Sequence, residues 1–317
     1  MQRYLFRRLL LIIPTLLGVS FVVFILVRSV PGDVTALIGG AYGAADPQTK
    51  AALQKEYGLD QNIPEQYVKW LGHTAHLDFG KSILSGRSVD TEMKSRLPVT
   101  LELGVLALIF SLLIAIPIGV LSAIRQDSIS DYLGRSFAIG LLAIPNFWIA
   151  TMLISLAGSH FIWGVPPPHY VSLRADPVSN LKLMAMPAFI LGAGLAGGVM
   201  RFTRSSMLEV LRQDYIRTAW SKGLRERVIV SRHAMRNALI PVMTIIGLNL
   251  PILVGGSVII EQIYSIPGIG RYYLAAVGSH DYPVIEGINI VIAFAVVFAN
   301  LGVDLLYSVV DPRIRYA

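Results

Sequence analysis

Six stretches of this chain contain no Asp, Glu, Lys or Arg: residues 9–27, 103–124, 136–159, 183–200, 237–260 and 287–303. No other feature restricts the fold so strongly. A helix rises about 1.5 Å per residue, so crossing a 30 Å hydrocarbon core takes roughly 20 residues. Each run meets or approaches that length, and the last continues past Asp304 to residue 310. Composition agrees: 54% of the 317 residues are hydrophobic and 15% charged, against about 25% charged in soluble domains. The expected architecture is an all-α integral membrane protein with six transmembrane helices.

Arg3, Arg7 and Arg8 before the first run resemble the start of a signal peptide. Signal h-regions span about 7–15 residues and end at a small-residue cleavage site. This run is longer and passes into "RSVPGD", so it reads as a retained first span. An even number of crossings puts both termini on one side. That side would hold 16 of the 27 Lys and Arg residues, against 10 on the other, with Arg28 at the edge of the first span. Nine of the 16 lie in 201–236. Cations resist translocation, so the richer side is predicted to be cytoplasmic. The net charge of +7 then reflects topology and anionic lipid headgroups, not nucleic acid.

The segments follow from these runs: an N-terminal segment and first helix over 1–30, an extracytoplasmic loop over 31–98, a core over 99–310, and a cytoplasmic tail over 311–317. In the loop, "PQTKAALQKEYGL" and "PEQYVKWLGHTAHL" read as short helices, the second placing Tyr67, Trp70 and Leu71 on one face. A folded outer cap suits an external partner or a lid equally. With no cysteine in the chain, disulfides and thiol chemistry are excluded.

Chemical motifs are few. "GKS" at residues 80–82 lacks the earlier glycine that a phosphate-cradling loop needs, since Ala75 stands there. His73 and His76, with Asp78 nearby, share a spacing that metals use, but no further ligand accompanies them. No nucleophile elbow or H-E-x-x-H pair occurs. Neither metal, catalytic residue nor cofactor is expected on this chain. Within the spans, Gly194 and Gly198 have the small-xxx-small spacing that permits close helix approach, within the chain or to a partner. Pro117, Pro145 and Pro251 are expected to interrupt their spans. Asn249, Glu261, Asn289 and Asp304 are polar and near the membrane, hence candidates to line a pathway; Asp304 must face protein or water.

Between the fourth and fifth runs lies "DYIRTAWSKGLRERVIVSRHAMRNALIP". Asp214 is positioned to cap a helix. Two turns follow, and Gly223 supplies the left-handed stop. A second helix carries Leu224, Val228, Ile229 and Met235 on its apolar side and runs back to the membrane, ending at Pro241. Such an elbow suits either a cytoplasmic partner that grips and moves it or an anionic lipid surface.

This stretch resembles the coupling motif of ABC-importer permeases in the dipeptide, oligopeptide and nickel branch. The general motif has Glu-Ala-Ala, a glycine four residues after the second alanine, and a later Leu-Pro. Arg217, Thr218 and Ala219 occupy the first three places, Gly223 the glycine, and Ile240 and Pro241 the end. The missing glutamate and longer gap are usual in the peptide branch, and they put in doubt any salt bridge assigned to that glutamate. "RRLLLIIPTLLGVSFVVF", "YGLDQNIPEQYVKWLG", "DFGKSI", "RLPVTLELG", "SIPGIGR", "DYPVIEG" and "DLLYSVVDPRIRY" are similar to the branch along the whole chain. The resemblance implies a type I ABC-importer permease fold with a large extracytoplasmic loop and a coupling segment at 201–237. It implies half of a translocation pathway in the bacterial inner membrane, paired with a second, related permease. Two cytoplasmic ATPases would carry ATP and magnesium, and an extracytoplasmic binding protein would deliver substrate. Asp214, Tyr215, Ile216, Arg217, Thr218, Ala219, Lys222 and Gly223 would engage an ATPase. A nickel or other small-solute permease of the same family remains open. So does an ion-driven secondary transporter, although inverted repeats are not evident.

Overall fold

The computed structural model describes residues 2–29, 55, 60–157 and 170–310, with side chains described except at 2–9, 250–254, 256 and 303–310. The expected helix over 47–58, the Asp304 side chain and the tail 311–317 lie outside these. The described backbone is helical apart from short connections and one Lys81–Ser88 bridge. Its principal helices are α1 (Gln2–Ser29), α2 (Ile63–Ala75), α3 (Val89–Ile124), α4 (Ile129–Ala143), α5 (Asn146–Ala157) and α6 (Pro177–Leu211). Then come α7 (Asp214–Ser221), α8 (Glu226–Val228), a π-helical turn (Ile229–Ala234), α9 (Met235–Ile263), α10 (Ile269–Gly278) and α11 (Tyr282–Val310).

Among the described residues, Leu10–Ser29, Val89–Ile124, Pro177–Leu211 and Tyr282–Gly302 are long and apolar enough to cross a membrane. The pair α4 and α5 makes a fifth crossing if taken as one, but its halves are bent by 88°. The expected interruption of this span at Pro145 is therefore present. Pro145 forces the break: the residue before proline is pushed out of the helical region, and Ile144 adopts φ −94°, ψ 120°. Pro117 does not interrupt α3, because membrane helices tolerate proline where neighbours re-satisfy the freed carbonyl.

Two compact units are distinguished. The first contains Met1–Pro98 and Pro267–Val297. In it, α2 leans Tyr67 and Trp70 onto Phe24, with ring centroids 5.4 and 5.5 Å away, so the predicted apolar face of this helix forms. Arg28 donates to Glu286 at 2.5 Å and to Gln66 at 3.0 Å. The Ser82 hydroxyl donates to Asp281 Oδ2 at 2.5 Å, and the Ile83 N–H to Oδ1 at 3.1 Å. "GKS" is thus part of a pinned turn.

The second unit, Val99–Ile266 with residues 298–310, is organised around α6. Three of its glycines let neighbours approach closer than a Cβ would allow. A Cβ on Gly192 would stand 2.3 Å from the Ala107 carbonyl oxygen of α3, and one on Gly197 would stand 2.7 Å from that of Ala138 on α4. A Cβ on Gly194 would meet Asn146, the first residue after the Pro145 break, at 2.4 Å. Around Gly198 nothing lies within 4 Å. Within the chain, Gly192, Gly194 and Gly197 make the close approaches, because they face α3, α4 and α5, while Gly198 of the expected pair faces away from these helices.

Candidate functional site

The elbow begins with α6, which does not end near Met200 but continues to Leu211. Thr203, Ser206 and Met207 are buried along this extension, so packing carries the helix past its uncharged run. Gln213, not Asp214, takes the N-cap position of α7, and its side chain makes no capping bond. Asp214 is instead the first helical residue, where its charge still complements the helix dipole.

In α7, Ile216 and Ala219 point inward, and the other six residues are exposed. The buried pair joins a cluster with Ala123, Met207, Ile229, Ala234 and Ala238. An eight-residue helix is marginal in water on its own, so this apolar contact holds it on the ends of α3, α6 and α9. Its outer surface presents Asp214, Tyr215, Arg217, Thr218 and Trp220, with Tyr215 and Trp220 44% and 48% exposed. Trp220 was not singled out in the sequence reading. Its signal was available: an aromatic side chain on the polar side of a strongly amphipathic two-turn helix.

The helix stops as expected. Gly223 has φ +73°, its N–H donates to the Trp220 carbonyl at 2.9 Å, and the Leu224 N–H donates to that of Ala219 at 3.4 Å. Nothing lies within 4 Å of a Cβ built there, so glycine is needed for its backbone angle alone. Lys222 beside it is exposed. Asn237 Nδ2 donates to the Tyr215 hydroxyl at 2.8 Å, closing the elbow against α9. The predicted stop at Pro241 does not occur, since α9 runs from Met235 to Ile263. The carbonyl losing its partner belongs to Asn237, an exposed residue, where water can take the bond.

A buried ion pair sits on the helices that carry the elbow. Arg204 of α6 donates through Nε and Nη2 to both Asp131 oxygens, at 2.7 Å each. Asp131 also accepts from the Ser122 hydroxyl and from the Asp127 N–H at 3.0 Å. The bidentate contact ties α4 to α6, and the Ser122 hydroxyl ties α3 to the same carboxylate. Sequence reading missed it, because nothing in the spacing of residues 131 and 204 announces the pairing.

Thr100 and Ala123 stand about 34 Å apart along α3 at 1.5 Å per residue, so the unit has a second polar end. There the Thr100 hydroxyl donates to Glu261 at 2.7 Å, and Glu261 is fully buried. The Tyr170 hydroxyl donates to Glu102 at 3.0 Å. Burial, with the adjacent Glu102 carboxylate, pushes the Tyr170 phenol up to about 12. Asp176 caps α6 by accepting from the Val178 and Ser179 N–H groups at 3.0 and 3.1 Å; the Ser179 hydroxyl and N–H hold its carboxyl below the ordinary range.

Of the other polar candidates, Asn249 bonds the Ile245 carbonyl of its own helix at 2.8 Å. Asn289, in the first unit, donates to the Ile285 carbonyl at 2.8 Å and the Tyr273 hydroxyl at 3.3 Å. His73 lies 3.3 Å from Asp78; among the described residues, no group of three or more His, Asp or Glu could hold a metal.

Long apolar helices with an amphipathic elbow packed on the ends of α3, α6 and α9 define a membrane protein with a built surface beyond its spans. Residues 115–316 match the binding-protein-dependent transport system inner membrane component family, and residues 1–104 match the N-terminal region of such membrane components. The chain belongs to this family and is a multi-pass permease subunit of a transport system, not an enzyme. It is 41% identical, over the full length of both chains, to the oligopeptide transport system permease protein AppB of Bacillus subtilis (strain 168). It is 38% identical to the dipeptide transport system permease protein DppB of Escherichia coli (strain K12), covering 100% of this chain and 99% of that one. A chain of a solved MetNI methionine ABC transporter in an inward-facing conformation superposes with a TM-score of 0.55 at 16% identity. That superposition covers 69% of this chain and 96% of the other, and the likeness is one of fold.

Proposed function

We propose that this chain is the permease subunit of an ATP-driven importer of dipeptides or oligopeptides, forming half of the translocation pathway and taking its motion through the elbow at 214–223. The observation that carries the reading is the construction of α7. Two buried residues fasten it to the ends of three long helices, while Tyr215, Arg217 and Trp220 stay on its outer surface. A push on that surface is delivered to packed helices, not absorbed by a loose loop. Peptide as cargo rests on the printed names of the full-length relatives.

The proposal includes six crossings, with both termini and the elbow in the cytoplasm, as the Lys and Arg distribution favours. Residues 31–98 form the extracytoplasmic loop. The partners are a second, homologous permease, two ATPases that carry ATP and magnesium, and an extracytoplasmic binding protein. Asn249, Glu261, Asn289 and Asp304 are proposed to serve along the path.

The test is made on the complete transporter. Trp and Tyr anchors dominate protein interfaces, so Trp220→Ala combined with Arg217→Glu should leave membrane levels of the chain unchanged. ATPase subunits should bind roughly thirtyfold more weakly, as expected for loss of an interface anchor of about 2 kcal/mol, and peptide uptake should fall with them. Full retention of both would refute the assignment.

A further inference from the structure

We infer that the cleft between α4 and α6, lined by Arg135, Ile139, Arg201, Phe202, Arg204 and Ser205, is a binding site for the phosphate headgroup of an anionic membrane lipid. The cleft has a volume of about 450 Å³, within the range of about 300–1,000 Å³ typical of ligand sites. Three guanidinium groups meet there, and they are not equivalent. Arg204 is spent on Asp131, which takes both of its forked donors at 2.7 Å. Arg135 and Arg201 are exposed and have no carboxylate partner among the described residues. The cleft thus keeps two uncompensated positive charges, and the Arg204–Asp131 contact holds together the helices that present them.

Depth identifies the ligand. Arg135 immediately precedes the uncharged run 136–159, and Arg201 immediately follows the run 183–200. Both arginines therefore stand at the boundary between hydrocarbon and headgroups, and on the same side, because they share one cleft. Tyr132, with the Arg135 guanidinium 5.7 Å from its ring centroid, is an aromatic residue at the same level, as interfacial residues of membrane proteins commonly are. The flanks are apolar and outward-facing: Ile139 and Phe202 are 59% and 43% exposed. A free anion would have no use for that flank. A lipid would set acyl chains against Ile139 and Phe202 while its phosphate received the forked donors of Arg135 and Arg201 and the Ser205 hydroxyl. Basic pockets between transmembrane helices take anionic headgroups in this manner.

The full-length chain, purified in mild detergent, would be titrated with dioleoylphosphatidylglycerol, with dioleoylphosphatidylcholine, and with inorganic phosphate. Bound lipid is counted by native mass spectrometry, and thermal unfolding is followed in parallel. Phosphatidylglycerol should bind and raise the unfolding temperature, and phosphatidylcholine should do neither. Inorganic phosphate at millimolar concentration should not displace the lipid. Each cationic residue near an anionic surface contributes on the order of a fivefold change in affinity, so R135A/R201A should bind phosphatidylglycerol about thirtyfold more weakly. R135K/R201K, which keeps charge but loses the fork, should lie between and guards against misfolding of the alanine variant. Equal binding of the two lipids, displacement by inorganic phosphate, or unchanged binding by both double variants would overturn the assignment.

Discussion

Replacing Asp131 with alanine is the sharpest test of how the helices under the elbow are held. The Asp131 side chain has no exposure and that of Arg204 21%, so Asp131→Ala strands a guanidinium that is about four-fifths buried. It also removes the acceptor from the Ser122 hydroxyl and the Asp127 N–H. Leaving one partner of a buried ion pair uncompensated costs about 3–5 kcal/mol. The exposed fifth of Arg204 lets water offset part of this, so the expected loss is about 3 kcal/mol. For a unit of this size, that corresponds to roughly 6–12 °C in unfolding temperature. The contrast that identifies the cause is a double-mutant cycle with Arg204→Met and Asp131→Leu. Each single change leaves a charge behind and should destabilise strongly, whereas the double change leaves none and should recover most of the loss. The assay is thermal unfolding of the purified full-length chain in one detergent at fixed salt. If the two single losses simply add in the double variant, the residues are uncoupled and the pair does not tie α4 to α6.

Two further outcomes follow from the glycines. Gly223→Val places a β-branched residue at φ +73° in otherwise open space, with strain of about 1–2 kcal/mol; the chain should still reach the membrane while ATP hydrolysis is uncoupled from uptake in the assembled transporter, and undiminished uptake would count against the elbow as a lever. Gly192→Ala drives a methyl group to 2.3 Å from the Ala107 carbonyl oxygen and should cost about 1–3 kcal/mol by overpacking, whereas Gly198→Ala meets nothing within 4 Å and should be neutral; equal loss of stability in a thermal-unfolding comparison would refute the distinction.

Much of this protein was legible without coordinates. Uncharged runs announced helices because the bilayer and the backbone's need for hydrogen bonds leave few alternatives. Gly223 announced the end of α7 because left-handed backbone is inexpensive only for glycine. These are local properties, written into neighbouring residues. What the sequence could not reveal were the encounters between distant ones. Asp131 and Arg204 are separated by the Pro145 break and the whole of α5, and only packing along α6 brings their charges together. Pro145 signalled an interruption, but tertiary structure decided that it bends the chain by 88° and sets Asn146 against Gly194, while Pro117 and Pro241 pass inside continuous helices. Gly198 matched the spacing for close approach and proved to face away, because spacing describes a helix surface and says nothing of which neighbour lies against it. Local conformational preference and solvent set the helices; which of their faces meet was decided by three-dimensional packing, where a contact depends on every other contact around it.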